Sequence, residues 1–495
     1  MGDMPSAQRP LVLGFVLVAA TVAAGEIPPR PEKIVYPSLV FNVPDPAAMR
    51  AKLANGVTAY VAEDRMLPLV NVVVLFRGGQ YLEPIGKEGL ADLTGTVWRS
   101  GGAGKLDARG LDEQLDFLAA SISTSVGGES GSVGLSVLAK DVDAGLTLLM
   151  NVLREPRFEE GRLAKAKEEL LAALKRRNDD TAAIEAREFM RLVFGPECWV
   201  NRLPTKASVD AITRDDLVAF HRRLADPANF VVAVAGDFDR AAMIRRLNAT
   251  LGAWRASGPR LPPVPQPGEP ARPGVYVVDK PDANQGRVSI GHLGAKRPLA
   301  DEFAVSIAND ILGGGGFTAW LTSRVRSDEG LAYSVYSEFG IGDHFPGLFY
   351  AHFESKSSTC ARAALLTTDL ISRIRTGGVT EKELTTSKNS FIETLPRRFE
   401  TRLNTAYQFA TDDLIGLPHD YWRGYRQKVA AVSVDDVRRA ATAHFAPDRL
   451  IILVVGNVEE ILKGHPDHPE AGFEKLGAVV RLPLRDPLTL VPLGQ

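Results

Sequence analysis

The chain has 495 residues, of which 45% are apolar and 24% charged, and its formal net charge is −2. A chain of this length is too long for a single ordinary hydrophobic core, so two or more domains are expected. The balanced charge lacks the basic excess of a nucleic-acid-binding protein, and the composition is that of a soluble globular protein.

The N-terminus has the pattern of a targeting segment. Arg9 precedes an apolar run over residues 11–24 that ends in small residues. That run is too short for a comfortable membrane span, so residues 1–24 are predicted to be a cleaved secretory signal. The mature protein is then expected in the periplasm or outside the cell, without stable membrane insertion. An uncleaved anchor is the alternative. Residues 25–41 form a lead into the first domain.

The first domain is predicted over residues 42–257. Asn55-Gly56 is a hairpin signal before a strand over residues 57–62. Apolar or alternating runs predict further strands over 68–76, 121–138 (paired around Gly127-Gly128) and 230–236. Helical periodicity predicts helices over 111–120, 142–153, 159–177 and 217–224.

A proline-rich segment divides the chain nearly in half. Residues 258–274 contain seven prolines, a composition that favours an extended, semi-rigid linker. The second domain is predicted over residues 275–461, with helices and strands in a similar order. Residues 462–495 form a tail with little periodicity.

The two halves look like an internal repeat. Residues 213–238 and 433–458 align without a gap at a shift of 220. The matched pairs are Asp215 with Asp435, Asp216 with Asp436, Pro227 with Pro447, and Gly236 with Gly456. Each segment reads as a helix begun by aspartates, a proline turn, an apolar strand and a glycine. These matches favour duplication over two unrelated helix–strand units.

The most informative stretch is 312–339. It opens with Gly313, Gly314, Gly315 and Gly316, which lack the Lys-Ser/Thr of a phosphate loop. A helix should follow, because the apolar residues Phe317, Trp320, Leu321 and Val325 recur at helical spacing, and Gly330 should end it. Residues 331–337 alternate like a strand. Arg326 then lies on the last helical turn and Tyr333 on the strand. The two side chains could point into one cavity, although a surface arginine and a half-buried tyrosine are the ordinary interpretation.

The glycine run followed by R-x-x-x-G-L-A-Y-S resembles the second half of the pitrilysin/insulinase family of zinc peptidases. In that family an arginine and a tyrosine seven residues apart face the active site across a closed chamber, and Arg326 and Tyr333 fall on those positions. The family's fold is α+β. The resemblance, over about residues 42–461, implies two homologous repeats, each a twisted, mainly antiparallel sheet with helices on one face. It also suggests that the glycine run touches entering peptide. Ala319-Trp320 departs from the family's usual small residue and arginine.

Active members of the family bind zinc through H-x-x-E-H on a helix. At the matching place, after residues 89–91, Asp92 and Thr96 stand for the histidines and Gly95 for the catalytic glutamate. Threonine is a poor zinc ligand and glycine cannot act as a base. The family's third ligand would fall near residues 172–173, with Glu168 and Glu169 one turn earlier.

The histidines of the chain support the same conclusion. All eight lie at or after position 221, and the only H-x-x-H, His465 to His468, is expected to be solvated surface. No zinc or other cofactor is therefore expected in this chain. Two cysteines, Cys198 and Cys360, exclude a four-cysteine site, and whether they pair or remain buried free thiols is left open.

The resemblance implies a non-metal-binding subunit of an exported heterodimeric zinc peptidase. The partner would carry zinc on H-x-x-E-H, Tyr333 would donate to the oxyanion, and Arg326 would clamp the backbone of the peptide substrate. The alternative is a catalytically silent scaffold or peptide-binding protein, like the core subunits of respiratory complexes in the same superfamily.

Overall fold

The structure, a computed structural model, describes residues 30, 34, 40–258 and 260–494. Residues 42–495 form one unit, to which the following description is confined. The predicted signal over residues 1–24 and most of the lead over 25–41 lie outside the described residues. Among the residues described, no helix has the length and apolar content needed to cross a membrane.

The first half alternates strands and helices. Its N-terminal hairpin forms at the predicted Asn55-Gly56 turn, because Gly56 has a φ of 87° that glycine adopts without strain. The elements are α1 (Pro46–Met49), β1 (Arg50–Lys52), β2 (Thr58–Glu63), β3 (Leu69–Arg77), α2 (Leu90–Ser100), α3 (Ala108–Phe117), β4 (Ser121–Val126), β5 (Ser130–Leu138), α4 (Val142–Arg154), α5 (Glu160–Lys175), α6 (Thr181–Phe194), α7 (Lys206–Ala211), α8 (Arg214–Leu224), β6 (Phe230–Gly236) and α9 (Arg240–Ala249).

The second half follows the proline-rich segment, whose described residues contain no helix or strand before Gly274. Its elements include two π-helical segments, Asp310–Gly314 and Thr322–Asp328. The others are β7 (Gly274–Asp279), β8 (Gln285–Leu293), β9 (Ala295–Lys296), α10 (Glu302–Asn309), β10 (Ala332–Phe339), β11 (Ile341–Gly342), β12 (Leu348–Lys356), α11 (Cys360–Thr376), α12 (Glu381–Thr394), α13 (Arg402–Ile415), α14 (Tyr421–Ala431), α15 (Val434–His444), β13 (Ile451–Gly456), α16 (Val458–Lys463) and β14 (Val479–Leu482).

Each half contains a six-stranded mixed sheet, and five of the six strands have the same order; the sixth is the antiparallel β1 in the first sheet and the parallel β14 in the second. The first sheet runs β1-β2-β6-β3-β5-β4, and the second, written in the same direction, runs β14-β7-β13-β8-β12-β10. The pairs β2–β6 and β7–β13 are parallel, and the three following pairs in each sheet are antiparallel. This shared order confirms the predicted α+β fold of two homologous repeats.

The residues matched between the halves stabilise equivalent helix starts. Helices α8 and α15 are both capped by a hydroxyl residue, Thr213 and Ser433 respectively. In each capping box the matched aspartate, Asp216 or Asp436, accepts a hydrogen bond from the backbone N–H of the cap residue. The sequence similarity therefore has a local physical cause, since these aspartates fix where each helix begins.

The two halves exchange one helix each. Helix α6 of the first half packs on β8 and β13, and α13 of the second half packs on β2, β3 and β6. Tyr60 on β2 contacts Phe409 on α13, with ring centroids 5.9 Å apart. On the other side of the exchange, Ser289 donates to Glu185 on α6 at 2.6 Å. One exchanged helix packs on each of the central strands β6 and β13, and all residues of these two strands are buried.

The C-terminal tail links the two halves. Strand β14 pairs in parallel with β7 at the edge of the second sheet. Beyond it, Arg485 forms an ion pair of 3.2 Å with the buried Glu188 of α6, and Leu488 accepts a hydrogen bond of 2.8 Å from the backbone N–H of Lys206. The weak periodicity of this segment did not indicate these contacts, because four strand residues are too few to produce a pattern.

Candidate functional site

The glycine run packs against the edge strand of the second sheet. It continues from α10 through the first π-helical segment, and Gly315 donates to the carbonyl of Asp310 at 2.7 Å. The side-chain amide of Asn309 donates to the backbone carbonyl of Ser337 at 3.2 Å, and the hydroxyl of Ser337 donates to Asn309 Oδ1 at 2.9 Å. A Cβ added to Gly313 would lie 2.5 Å from the backbone nitrogen of Ser337. Glycine is therefore required at position 313 for the close approach of this segment to β10.

The segment after the glycines does not place all its predicted apolar residues on one face. Leu321 and Val325 are fully buried, as expected, and the indole of Trp320 donates to Glu383 at 2.6 Å. The prediction that Phe317 belongs to the same helix was wrong, and its side chain is 79% exposed. Phe317 lies in a short 3-10 turn, and the extended backbone of Ala319 (ψ 149°) separates that turn from the following helix, so the two do not share a helical face.

Arg326 and Tyr333 lie side by side on an exposed surface. Arg326 belongs to the second π-helical segment, which ends before Gly330 at a φ of 63°. The register between β10 and β12 shifts between Ala332 and Val335, so Tyr333 lies in a bulge and its side chain is 84% exposed.

The guanidinium of Arg326 contacts two aromatic rings. Its Cζ atom is 4.9 Å from the ring centroid of Tyr333 and 5.1 Å from that of Phe317. We refer to Phe317, Arg326 and Tyr333 as the aromatic–arginine cluster. The cluster lies on open surface. A cavity of about 1250 Å³ between α10, α14 and α15 is lined by neither Arg326 nor Tyr333.

The degenerate motif lies on α2, which packs on the edge strand β4 of the first sheet. Asp92 and Thr96 are exposed. Neighbouring residues still shield the Asp92 carboxyl partly from water, and this desolvation raises its pKa. Gly95 is buried, and a Cβ added to it would lie 2.9 Å from the backbone nitrogen of Val126. Its carbonyl accepts a hydrogen bond of 2.7 Å from Thr124. A glutamate at position 95 would therefore clash with the backbone of β4.

No metal centre is found among the described residues. No group of three or more histidine, cysteine, aspartate or glutamate side chains there is arranged to hold an ion. Glu168 and Glu169, considered for the third ligand, are exposed on α5. Within the described chain, therefore, no other side chains complete a zinc site around Asp92 and Thr96.

A buried acid next to α2 was not identified from the sequence. Glu83 is only 4% exposed and accepts hydrogen bonds from the backbone N–H groups of Ala91 (2.7 Å) and Gly89 (3.2 Å) at the start of α2. Burial raises the pKa of Glu83 to about 7, although these two hydrogen bonds oppose the increase. No spacing rule indicates this residue, because the chain folds back between Glu83 and the helix.

The histidines have ordinary structural surroundings. His221 is buried against Trp98, with ring centroids 4.7 Å apart, and its Nε2 lies 2.9 Å from the carbonyl oxygen of Leu153. Burial lowers the pKa of His221 to about 4. His465 and His468 are partly exposed in the tail, with ring centroids 5.1 Å apart.

The two cysteines are both free and buried, in different halves of the chain. Burial raises the pKa of the Cys360 thiol to about 12. Of the two alternatives left open by the sequence, the structure therefore has the free thiols. A thiol with so high a pKa is protonated at neutral pH and is unsuited to nucleophilic or metal chemistry.

Comparison with known proteins points to one family. A family profile described as the peptidase M16 inactive domain matches residues 211–391. The chain is 28% identical over 408 residues to a non-peptidase homolog, YmxG, of Helicobacter pylori, covering 80% of this chain and 90% of that protein.

Solved structures show the same architecture. A peptidase M16 inactive domain from Pseudomonas fluorescens superposes with a TM-score of 0.74 at 25% identity, covering 82% of this chain and 97% of that one. The periplasmic protease PqqL of Escherichia coli shares the fold, with a TM-score of 0.72 at 16% identity. The match covers 92% of this chain but 49% of PqqL, so the chain corresponds to about half of that protein.

Proposed function

We propose that the chain is an inactive-domain member of the peptidase M16 family and that it is the non-metal-binding subunit of a heterodimeric zinc peptidase. The partner would carry H-x-x-E-H with its zinc and would cleave the peptide bond. This subunit would supply Tyr333 as a hydrogen-bond donor to the oxyanion and Arg326 as a clamp on the substrate backbone. The resemblance to the pitrilysin/insulinase family of zinc peptidases found in the sequence is supported by the match of the M16 inactive-domain profile to residues 211–391.

The observation that carries the proposal is the exposed aromatic–arginine cluster. A large aromatic ring exposed as fully as Tyr333 has no role in the core of this chain, and its hydroxyl makes no hydrogen bond to any described residue. An exposed phenol in a strand bulge and a guanidinium at a helix end are suited to a reaction centre completed by a second protein. The proposal thus explains why the pair lies on open surface.

We also propose that the chain is exported and that residues 1–24 are removed. The apolar run over residues 11–24 and its small-residue end support this placement. Mass spectrometry of the protein recovered from the cell envelope or medium tests it. A mature N-terminus near Gly25 is expected, and an intact Met1 would indicate an anchor instead.

The experiment for the shared active site is to purify this chain from its native cells and to reconstitute it with a zinc-bearing M16 protein recovered in that purification. Tyr333→Phe keeps the ring and removes only the hydroxyl, so the complex should assemble with little change in peptide affinity. Turnover should fall about 100- to 1000-fold, the usual cost of losing one oxyanion donor. Tyr336→Phe is the matched control, because Tyr336 is a partly exposed phenol on the same strand.

The alternative function is a silent scaffold or peptide-binding protein. In that case the Tyr333→Phe complex would form and turn over at the rate of the Tyr336→Phe control. Arg326→Ala provides a second distinction, since a backbone clamp acts in both ground and transition states and its loss should raise KM as well as lower kcat. A scaffold would show neither change.

A further inference from the structure

The positive charge of Arg326 has no counter-ion among the described residues. The acidic side chains that follow it on the chain are engaged by other arginines. Arg324 pairs with Asp328 at 3.4 Å and with Glu329 at 3.0 Å. Arg362 also pairs with Glu329. Within the described chain no carboxylate lies at ion-pair distance from Arg326, and no acceptor takes a hydrogen bond from its guanidinium.

The guanidinium is held by aromatic contacts instead. The rings of Phe317 and Tyr333 lie about equally close to it, and both are largely exposed. Such cation–π contacts restrict the position of an arginine without using its N–H groups. Gly316, next to Phe317, has open space where a side chain would stand, so the approach to the cluster is not blocked there.

From this geometry we infer that the aromatic–arginine cluster selects acidic peptides, by binding a glutamate or aspartate side chain of the peptide at the guanidinium of Arg326. The inference rests on the proposed function for the ligand being a peptide. Phe317 is a positioning residue in this site, because it contacts the guanidinium and acts on the ligand through it.

A carboxylate fits this site better than a peptide carbonyl alone. The backbone carbonyl clamped by Arg326 would use one of the five N–H donors of the guanidinium, and it would leave the other donors and the positive charge available to a side chain. A carboxylate accepts two parallel N–H bonds and neutralises the charge, which makes charge-assisted pairs stronger than neutral ones. Every peptide has carbonyls, so only the carboxylate allows discrimination between peptides.

The test is equilibrium binding to the mature chain without its partner. The probes are three short fluorescein-labelled peptides that differ only at one central position, which is glutamate, glutamine or lysine, in a neutral background. Fluorescence anisotropy at low salt should show the glutamate peptide binding about 2- to 5-fold tighter than the glutamine peptide, with the lysine peptide weakest. Added salt should reduce the difference.

Variants assign the preference to the cluster. Arg326→Ala should abolish the difference between the glutamate and glutamine peptides, whereas Arg324→Ala, the matched control on the same helical segment, should keep it. Phe317→Ala should reduce the difference, and Phe317→Tyr should restore it. A role of Phe317 in stability alone would weaken all three peptides equally.

Three results would overturn the inference. They are equal binding of the glutamate and glutamine peptides, no binding of any probe, and loss of the preference in Arg324→Ala as complete as in Arg326→Ala. These outcomes are independent of the proposed active site. Tyr333→Phe keeps the ring and should keep the acidic preference, even where it abolishes turnover in the complex.

Discussion

Two segments occupy equivalent places in the two halves, each a helical stretch on the edge strand of its sheet. In the first half the regular helix α2 lies on β4, and in the second the π-helical segments lie on β10. Both make the same close contact through a glycine, Gly95 against Val126 and Gly313 against Ser337. The close glycine contact with the edge strand is therefore shared by the two halves, whereas the side chains exposed beside it differ.

The difference between these segments is one of helical regularity. On α2, Asp92 and Thr96 are exposed and Gly95 packs closely against β4. The helix is regular over its whole length. In the second half the extra residue in each π-helical turn and the glycine run break that pattern, and the aromatic–arginine cluster protrudes. Irregular helical turns are common at functional sites, and here the irregular segment carries the candidate chemistry.

The largest expected effect comes from restoring the zinc motif in the first half. Wild-type chain should bind no stoichiometric zinc. The triple variant Asp92→His, Gly95→Glu, Thr96→His should also bind none, because the glutamate would push against β4. A loss of roughly 3 to 5 kcal/mol in unfolding free energy is expected from overpacking and a buried carboxylate. Metal analysis and urea denaturation measure both quantities.

The control for this variant is the double change Asp92→His, Thr96→His, which alters only the two exposed positions and leaves Gly95 in place. Its stability should be close to that of the wild type. About one tightly bound zinc per chain in the triple variant would show that α2 can accommodate the H-x-x-E-H motif against β4.

The next effect in size is a pH dependence at the start of α2. Because burial in the folded chain raises the pKa of Glu83 from its ordinary value of 4.5 to about 7, the native state binds more protons than the unfolded state between these values. Stability should therefore fall as pH rises through this window, by up to about 3 kcal/mol. Glu83→Gln keeps a carbonyl acceptor for the two backbone N–H groups and should flatten the profile.

Urea denaturation at a series of pH values measures this dependence. Glu168→Gln on the exposed face of α5 is the control and should leave the slope unchanged. An identical slope in wild type and Glu83→Gln would show that this carboxyl is ionised in the native state at neutral pH.

The smallest expected effect concerns the glycine run. Gly313→Ala places a Cβ against the backbone of β10 and should destabilise the chain by about 2 kcal/mol. Gly316→Ala has open space but a φ of 62°, so about 1 kcal/mol is expected from backbone strain alone. Thermal unfolding of both variants, compared with wild type, tests whether the close contact or the backbone conformation matters more. Equal losses would mean that contact with Ser337 relaxes at little cost.

The sequence predicted the features that depend on local chemistry. The hairpin at Asn55-Gly56, the capping aspartates of α8 and α15, and the lack of zinc ligands on α2 follow from residue types at short spacing. The positions of Arg326 at a helix end and Tyr333 on the next strand were predicted in the same way, from Gly330 and the alternation after it.

Only the tertiary structure decided which residues from distant parts of the chain meet. The exchange of α6 and α13, the attachment of the tail through Arg485 and the buried carboxyl of Glu83 depend on contacts between residues far apart in sequence. Phe317 shows the limit most clearly, since helical spacing placed it on the same helix as Leu321 and Val325. One extended residue, Ala319, turns it outward onto Arg326, because a single backbone angle can redirect a side chain without changing the apolar pattern.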